Sequence, residues 1–302
     1  MKILLTGSNG LLGQKLVALL RKEPGVQLVA TSRGENKLAA LYPEVQFVPL
    51  DVTDRAHVQQ VVAQQRPTHL IHTAAMTNVD ECQLNQEACS QQNVTATEYL
   101  VEACEQNAVH LLHLSTDFIF SGEHGPLAED ALPGPINFYG ESKLAAEKAV
   151  QACRVPWAIL RTVLVYGTAH DYGRTNIVLW VRDSLRAGRP IKVVDDQLRT
   201  PTLAEDLAQG CWLAAQKHAT GIYHISGREL LTPYQMALQV ADYFGLDSGL
   251  IEKVDASTFT QPAKRPARTG FIISKAEEEL AYSPHSFSEG IALLAQQTEG
   301  VA

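Results

Sequence analysis

Apolar and polar residues follow two different periods along the first half of the chain. Short apolar runs rich in β-branched residues alternate with longer stretches in which apolar residues recur every three or four positions, the spacing of an amphipathic helix. This alternation predicts a parallel sheet with helices packed on its faces. The predicted strands cover 2–6, 26–31, 46–49, 69–73, 109–115 and 157–164, and the predicted helices cover 11–22, 54–65, 86–106 and 140–152.

The regular alternation ends near Tyr166, and a different organisation follows it. A loop over 167–175 opens the second part, and a loop rich in Pro and Arg over 261–269 lies near its end. We therefore expect an α/β fold with a Rossmann-type doubly wound parallel sheet over 1–165, which also receives 202–226, and a smaller lobe built mostly from 166–302. The elements predicted in the second part are helices over 176–187, 202–217, 232–245 and 287–297 and strands over 192–194 and 221–226.

Composition and charge narrow the class of protein. Of the 302 residues, 45% are hydrophobic and 19% are charged, which is ordinary for a globular chain that folds throughout. The net charge of -8 repels a nucleic-acid backbone, so nucleic acid is not an expected partner. The five cysteines form no C-x-x-C pair, and we expect reduced, mostly buried thiols. No signal-peptide pattern opens the sequence and no apolar run reaches about 18 residues, so we expect a cytoplasmic protein that does not enter a membrane.

The first chemical motif is a glycine-rich turn between the first predicted strand and the first predicted helix. The first glycine permits a tight turn, the second lets backbone N–H groups approach a pyrophosphate, and the third lets the helix pack closely against the strand. A glycine-rich turn without a ligand is the alternative, but the position between strand and helix favours a dinucleotide site. The residues predicted to bind the cofactor here are Gly7, Asn9, Gly10, Leu11, Leu12 and Gly13.

The end of the second predicted strand indicates which dinucleotide is bound. An NAD-selective site carries an acidic residue about 20 residues after the glycines, where it binds the ribose 2′-hydroxyl. The sequence has Ser32 and Arg33 there instead, a hydroxyl and a planar cation that suit a 2′-phosphate. We therefore expect NADP(H) to be preferred, with NAD(H) as the alternative cofactor. Two other interpretations stay open, in which Arg33 is a solvated surface residue or Glu35 binds the ribose.

A tyrosine and a lysine four residues apart indicate reductase chemistry. Tyr139 and Lys143 share one face of the predicted helix, so the ammonium group is expected to lower the pKa of the phenol from about 10 and make it a proton donor to a carbonyl. Such a pair is also common on helix surfaces. Thr116 favours the catalytic interpretation, because it follows the strand predicted over 109–115 and ligands gather at the carboxyl ends of such strands.

Together these motifs resemble the extended short-chain dehydrogenase/reductases, and most closely the dTDP-4-dehydrorhamnose reductase family. The glycine turn and the segments 115–122 and 139–143 carry the resemblance. It extends over nearly the whole chain through the segments 74–80, 161–162, 195–202 and 265–266. The resemblance implies an NADP(H)-dependent reductase of a nucleotide-linked 4-keto-6-deoxy sugar, in which the smaller C-terminal lobe binds the substrate.

The resemblance also implies roles for individual residues. Thr116 would bind the substrate carbonyl, Tyr139 would donate the proton, and Lys143 would tune Tyr139 and hold the nicotinamide ribose. For Asp51, the acid at a helix N-terminus is the alternative role. No metal site is expected. The further residues expected to contact the cofactor are Asp51, Val52, Ala74, Ala75 and Asn93, and those expected to contact the substrate are Thr77, Val79, Asn176 and Arg265.

Other functions stay open on the same scaffold. The regulatory β-subunit of methionine adenosyltransferase resembles this family too, and there the fold serves association. A sugar-nucleotide epimerase can reuse the same Tyr–Lys pair. A dehydratase is disfavoured, because Phe118 stands where those relatives carry a glutamate. The expected partner is a small nucleotide-sugar substrate, and a homodimer is one open arrangement.

Several histidines and tryptophans are assigned to packing. Histidines in or beside strands are more often structural residues with satisfied hydrogen bonds than metal ligands. Tryptophans in apolar surroundings are expected in the core. The residues assigned in this way are His69, His72, His110, His113, Trp157, Trp180 and Trp212.

Overall fold

Strands and helices alternate along the chain. The computed structural model describes residues 1–171, 173 and 175–299, so Tyr172 and Arg174 of the predicted 167–175 loop lie outside the described residues. The strands are β1 (Lys2–Thr6), β2 (Gln27–Ser32), β3 (Gln46–Pro49), β4 (His69–His72), β5 (His110–Thr116), β6 (Trp157–Thr162), β7 (Val165–Tyr166), β8 (Ile191–Val194), β9 (Thr202–Leu203), β10 (Gly221–His224) and β11 (Ile251–Val254). The helices are α1 (Leu11–Leu20), α2 (Arg55–Gln65), α3 (Val79–Leu84), α4 (Gln86–Ser90), α5 (Ala96–Asn107), α6 (Phe138–Gln151), α7 (Ile177–Arg186), α8 (Ala204–Gln216), α9 (Pro233–Tyr243) and α10 (Phe287–Glu299).

Seven strands form the main sheet in the order β10-β6-β5-β4-β1-β2-β3. Every neighbouring pair is parallel, so the carboxyl ends of all seven strands lie at one edge. The strand order reverses beside β1, because β2 and β3 extend to one side and β4 begins the other. This confirms the predicted Rossmann-type doubly wound sheet.

Each face of the main sheet carries its own apolar core. On one face α1 packs against α8, where Leu16 and Leu207 are buried. On the other face α2 packs against α5, where Val62 and Leu100 are buried. Both helix pairs follow the apolar spacing of the sequence, since each turns one stripe toward the sheet.

A third apolar core lies in the C-terminal part of the chain. There α7, α9 and α10 surround the two-stranded parallel sheet of β8 and β11, and Val181, Val240 and Ile291 are fully buried. Helix α9 begins where the sequence signals it. Thr232 accepts a hydrogen bond from the Gln235 N–H and Pro233 occupies the first turn.

The chain departs from the predicted elements at a few places. The helix predicted over 86–106 contains a π-helical turn, Gln91–Thr95, between α4 and α5. The strand predicted over 157–164 ends at Thr162, and Leu164 then adopts a left-handed backbone with φ of 36°. The sequence did not predict β7, β9 or β11, and residues 202–203, which were expected to begin a helix, form β9.

The packing predictions have a mixed outcome. All five cysteines are free and buried, as expected. Trp212 is buried, whereas the core assignment is wrong for Trp180, which is 36% exposed on α7. Within the described residues, no helix is both long enough and apolar enough to cross a membrane.

Candidate active site

A cavity of 590 Å³ lies at the carboxyl edge of the main sheet, beside the reversal of strand order. Ligand crevices of doubly wound sheets form at this position. Its wall combines the glycine turn after β1, the segment after β4, the end of β5 and the first turns of α6. The predicted site residues that line it are Gly7, Gly10, Leu11, Leu12, Gly13, Ala74, Ala75, Thr77, Val79, Thr116, Tyr139 and Lys143.

Two glycines of the turn stand where a side chain has no room. Gly7 has a φ of +76°, and a Cβ there would lie 2.7 Å from Thr73 Oγ1 and 2.8 Å from the Ala74 nitrogen. A Cβ on Gly13 would lie 2.1 Å from the Gly7 carbonyl oxygen. Gly10, which lines the cavity, is the N-cap residue of α1. It has no side chain that could cap the first backbone N–H groups of the helix. This arrangement fits a phosphate-bearing dinucleotide.

The start of α6 brings the predicted catalytic residues together. Asn137 caps the helix by accepting a hydrogen bond from the Gly140 N–H at 2.9 Å. Tyr139 therefore lies in the first turn, and Lys143 lies one turn later on the same face. Thr116, the last residue of β5, lines the same cavity from the sheet. The side chains of all three are almost fully buried.

The Lys143 ammonium group is directed at the end of β5. Its Nζ donates to the Leu114 carbonyl oxygen at 2.6 Å and lies 3.3 Å from His113 Nε2. Burial lowers the pKa of Lys143 to about 8, although nearby Glu147 acts in the opposite direction. Burial and the Lys143 charge hold the pKa of His113 well below its usual range, so His113 is neutral and accepts the hydrogen bond.

The Tyr139 phenol keeps its proton at neutral pH. Burial raises the pKa of Tyr139 above its ordinary value, and a hydrogen bond with Thr116 acts in the opposite direction. Burial outweighs the lowering effects, so the prediction that the pKa of Tyr139 lies below about 10 is wrong for this structure, and the Lys143 ammonium group donates to the Leu114 carbonyl. A protonated phenol is the state that a proton donor requires.

A buried carboxylate lies directly behind Thr116. Asp117 accepts hydrogen bonds from the hydroxyl groups of Thr116, at 3.0 Å, and Thr269. The Arg199 Nε lies 3.8 Å from the same carboxylate, and burial raises the pKa of Asp117 while Arg199 opposes that rise. The sequence did not identify Arg199 or Thr269 as site residues. The only sequence signal for either residue was that Arg199 lies in the 195–202 segment, which contributes to the family resemblance.

Asn93 lies in the π-helical turn and connects the walls of the cavity from behind. Its side chain accepts a hydrogen bond from the Met76 N–H at 2.8 Å. It also donates to the Met76 carbonyl and to Ser142 Oγ, both at 3.0 Å. Asn93 thereby holds the segment after β4 against α6 without lining the cavity itself.

The residues predicted to bind the 2′-phosphate lie beyond the cavity, at the end of β2. Ser32 is half-buried and Arg33 is exposed. Asn9 accepts a hydrogen bond from the Lys37 N–H at 3.1 Å and donates to the Glu35 carbonyl at 2.8 Å. These bonds hold the segment after β2, which begins with Arg33, beside the glycine turn.

Asp51 and Val52 follow β3. Asp51 accepts hydrogen bonds from the N–H and the hydroxyl of Thr53, which lower its pKa, and the Arg33 charge adds a smaller effect in the same direction. Asp54, rather than Asp51, caps α2. The alternative of Asp51 as the helix N-terminal acid is therefore wrong. Val52 is buried.

A second cavity, of 350 Å³, lies in the C-terminal lobe and is lined by Trp180, Lys192 and Arg265 among others. The Arg265 guanidinium binds the Asp80 carboxylate through two bonds of 2.6 and 2.7 Å, so it pairs with an acid rather than facing the cavity free. Asn176 caps α7 and donates to the Gly167 carbonyl, and it lines neither cavity.

The predicted structural histidines behave differently from one another. Both ring nitrogens of His72 have hydroxyl partners, Thr6 at 2.8 Å and Thr97 at 3.4 Å, which confirms the prediction there. The prediction is wrong for His110 and His113. Among the described residues, His110 Nε2 and His113 Nδ1 are buried without a hydrogen-bond partner.

Known proteins share this fold and much of this sequence. The family described as RmlD substrate binding domain matches residues 1–299. A dTDP-4-keto-6-deoxy-D-glucose reductase of Streptomyces niveus is 34% identical over 271 residues, which cover 88% of this chain and 86% of that protein. Methionine adenosyltransferase 2 subunit beta of Rattus norvegicus is 28% identical over 281 residues, 91% of this chain and 81% of that protein. The crystal structure of a dTDP-4-dehydrorhamnose reductase from Bacillus anthracis in complex with NADP has a TM-score of 0.84 and 27% identity, and the match covers 98% of this chain and 99% of that chain.

Proposed function

The chain belongs to the RmlD substrate binding domain family, and from this premise we propose that it is an NADP(H)-dependent reductase of a nucleotide-linked 4-keto-6-deoxy sugar. The observation that carries the proposal is the convergence of Thr116, Tyr139 and Lys143 on the cavity that the glycine turn lines. A relative at 34% identity is named for the reduction of such a sugar, which supports the same substrate class.

Residues in and beside the first cavity would hold the cofactor along its length. The glycine turn and the N-terminus of α1 suit the pyrophosphate, and Ser32 with Arg33 suits the 2′-phosphate of NADP(H). Ala74 and Ala75 line the first cavity, and Asp51 with Val52, which follow β3, would contact the adenine. When bound, the reduced cofactor supplies a hydride to the keto carbon.

The chain supplies the proton and the geometry. The Tyr139 hydroxyl donates its proton to the keto oxygen as the carbon receives hydride, which completes the alcohol. The Thr116 hydroxyl, which donates to Asp117 in this structure, would turn to donate to the same oxygen and position it. Lys143, held by the Leu114 carbonyl, lies within the cavity wall and would bind the nicotinamide ribose. Asn93 acts as a positioning residue, because it fixes α6 against the segment after β4.

The C-terminal lobe would hold the rest of the substrate. Thr77 and Val79 line the first cavity where the sugar is expected, and Arg265 lines the second, where the nucleotide diphosphate is expected. Asp80 then orients the Arg265 guanidinium. Residues 1–165 with 202–226 form the cofactor domain in this proposal. Cytoplasmic location, Asn176 as a substrate contact and a homodimer stay predictions.

A second candidate is a non-catalytic regulatory subunit that binds NADP(H). The 28% identity to methionine adenosyltransferase 2 subunit beta, over 91% of this chain, supports this second candidate. In that case the cofactor would bind without turnover.

One experiment separates the two candidates. The purified protein is mixed with NADPH and a panel of 4-keto-6-deoxy sugars linked to dTDP, UDP or GDP, and the loss of NADPH absorbance is measured. We expect oxidation with at least one sugar, and Tyr139→Phe as the matched control should show almost none. Tight NADPH binding without oxidation by any sugar would favour the regulatory subunit.

A further inference from the structure

Three histidines from distant parts of the sequence meet at the amino edge of the main sheet, the edge opposite the active-site cavity. His69 begins β4 and His110 begins β5, and the two are directly paired across the parallel strands. His218 follows α8, with a left-handed φ of 50°. One ring nitrogen from each residue lies within 4.8 Å of the others. Since 149 residues separate His69 from His218, no spacing motif in the sequence signals the cluster.

Hydrogen bonds fix which nitrogen His69 offers to the cluster. His69 Nδ1 lies 2.9 Å from the Thr68 hydroxyl, which is also 2.9 Å from the Lys2 carbonyl. With its hydrogen on Nδ1, His69 presents a lone pair at Nε2, and this nitrogen lies 3.1 Å from His218 Nδ1. A ring nitrogen held in this way by an outer hydrogen bond is typical of a metal-binding histidine.

His110 supplies the observation that points to a ligand. It is only 5% exposed, and its Nε2 has no hydrogen-bond partner in the part of the chain that the structure describes. A buried ring nitrogen without a partner is unfavourable, and an ion bound in the cluster would satisfy it.

We propose that His69, His110 and His218 form a binding site for Zn²⁺. Imidazole nitrogens suit Zn²⁺ and its neighbours Co²⁺ and Ni²⁺, whereas Mg²⁺ and Ca²⁺ require oxygen ligands. Tetrahedral Zn–N bonds of about 2.0–2.1 Å place the ligand nitrogens about 3.3 Å apart, close to the separation between His69 and His218. The His110 nitrogen lies within 4.8 Å of the other two and must move closer to complete the set.

Binding requires only a local rearrangement of hydrogens. The ion takes the place of the hydrogen between His69 and His218, and His218 then carries its hydrogen on Nε2. Because His218 is exposed, that N–H is hydrated and a water molecule can occupy the fourth position of the ion. The ion would tie β4 and β5 to the segment that leads into β10.

Isothermal titration of the full-length, tag-free chain with Zn²⁺ tests the site. We expect one ion per chain, and His218→Asn should weaken binding by at least about tenfold, since a single lost outer bond already costs about 10–100-fold. Asn tolerates the left-handed backbone at this position, and the side chain it replaces is exposed, so the variant should fold. His124→Ala, which removes an exposed histidine elsewhere, should bind as the parent does.

A second measurement identifies the ligands. Co²⁺ added to the parent should give the intense visible absorption of a tetrahedral site, and His218→Asn should lose it. The absence of stoichiometric Zn²⁺ binding by the parent would overturn the proposal. Binding by His218→Asn with the parent's affinity would overturn it as well, because the ion would then lie elsewhere. Neither measurement depends on NADPH oxidation, so a failure of the metal-site proposal can be distinguished from a failure of the proposed reductase activity.

Discussion

The two cavities of this protein are built in different ways. The 590 Å³ cavity is lined by a few continuous segments, each at the end of a strand or the start of a helix. The 350 Å³ cavity is lined by side chains that come from scattered positions between Ile177 and Arg265. The backbone of the sheet therefore fixes the first cavity, whereas side-chain packing in the lobe fixes the second. The first cavity therefore suits a reaction in which the reacting groups must be held in fixed positions. The second cavity suits the recognition of those parts of a substrate that differ between substrates.

The largest expected effect lies in the first cavity. Tyr139→Phe keeps the ring and removes one hydroxyl, so kcat should fall by about 10²–10⁴ while NADPH affinity stays near that of the parent. Steady-state kinetics and NADPH fluorescence titration measure the two quantities. If the variant kept a large share of its reductase activity, the proton would have to come from another group.

A smaller effect is expected at the end of β2, beside the glycine turn. Arg33→Ala should remove about 1.5–3 kcal/mol of NADPH binding, or about one to two decades in Kd, and leave NADH binding unchanged. Lys37→Ala is the matched control, because Lys37 is a neighbouring exposed cation that pairs with Asp171. Equal dissociation constants for NADPH and NADH in the parent would contradict the assignment.

Burial of Lys143 predicts a gain in stability when the charge is removed. The pKa of about 8 in the folded chain lies below the ordinary 10.5, so the folded state binds the proton less tightly than the unfolded chain does. The free-energy cost of burying the charged Lys143 side chain is fully present below pH 8 and disappears as the pH rises through 10.5. Lys143→Met should therefore raise the free energy of unfolding by about 1–3 kcal/mol at pH 7, and by less at pH 10.

Urea unfolding at the two pH values measures that gain. Lys148→Met, on the exposed side of the same helix, should change the free energy of unfolding very little. A loss of stability in Lys143→Met at pH 7 would mean that the hydrogen bond to Leu114 outweighs the cost of burying the charge.

The smallest effect is expected in the second cavity. Arg265→Ala should raise the substrate KM by about 3–10-fold with little change in kcat, since one charge-assisted contact in a partly open site is lost. Asp80→Asn keeps the guanidinium but removes its partner, and it should raise KM less. An unchanged KM in Arg265→Ala would show that the residue serves only the ion pair with Asp80.

The same contrast explains how much the sequence could predict. Periodicity identified the strands and helices of the main sheet, and the glycine spacing identified the turn, because both signals are local. Contacts between distant positions carry no such signal. The bonds from Asp117 to Arg199 and Thr269 and the exposure of Trp180 all depend on how separate segments pack. The direction of the Lys143 side chain depends on it too, and for that reason its expected effect on Tyr139 was wrong.

The position of β10 makes the C-terminal half indispensable to the sheet. This strand follows the first part of the lobe in sequence, yet it pairs with β6, while α8 covers α1. A chain cut near residue 165 would leave β6 as an edge strand paired only with β5, with Ala158 and Leu160 no longer covered by α8. Such an edge is a template for aggregation. The loss of everything beyond β6 would therefore expose both an edge and one face of the main sheet.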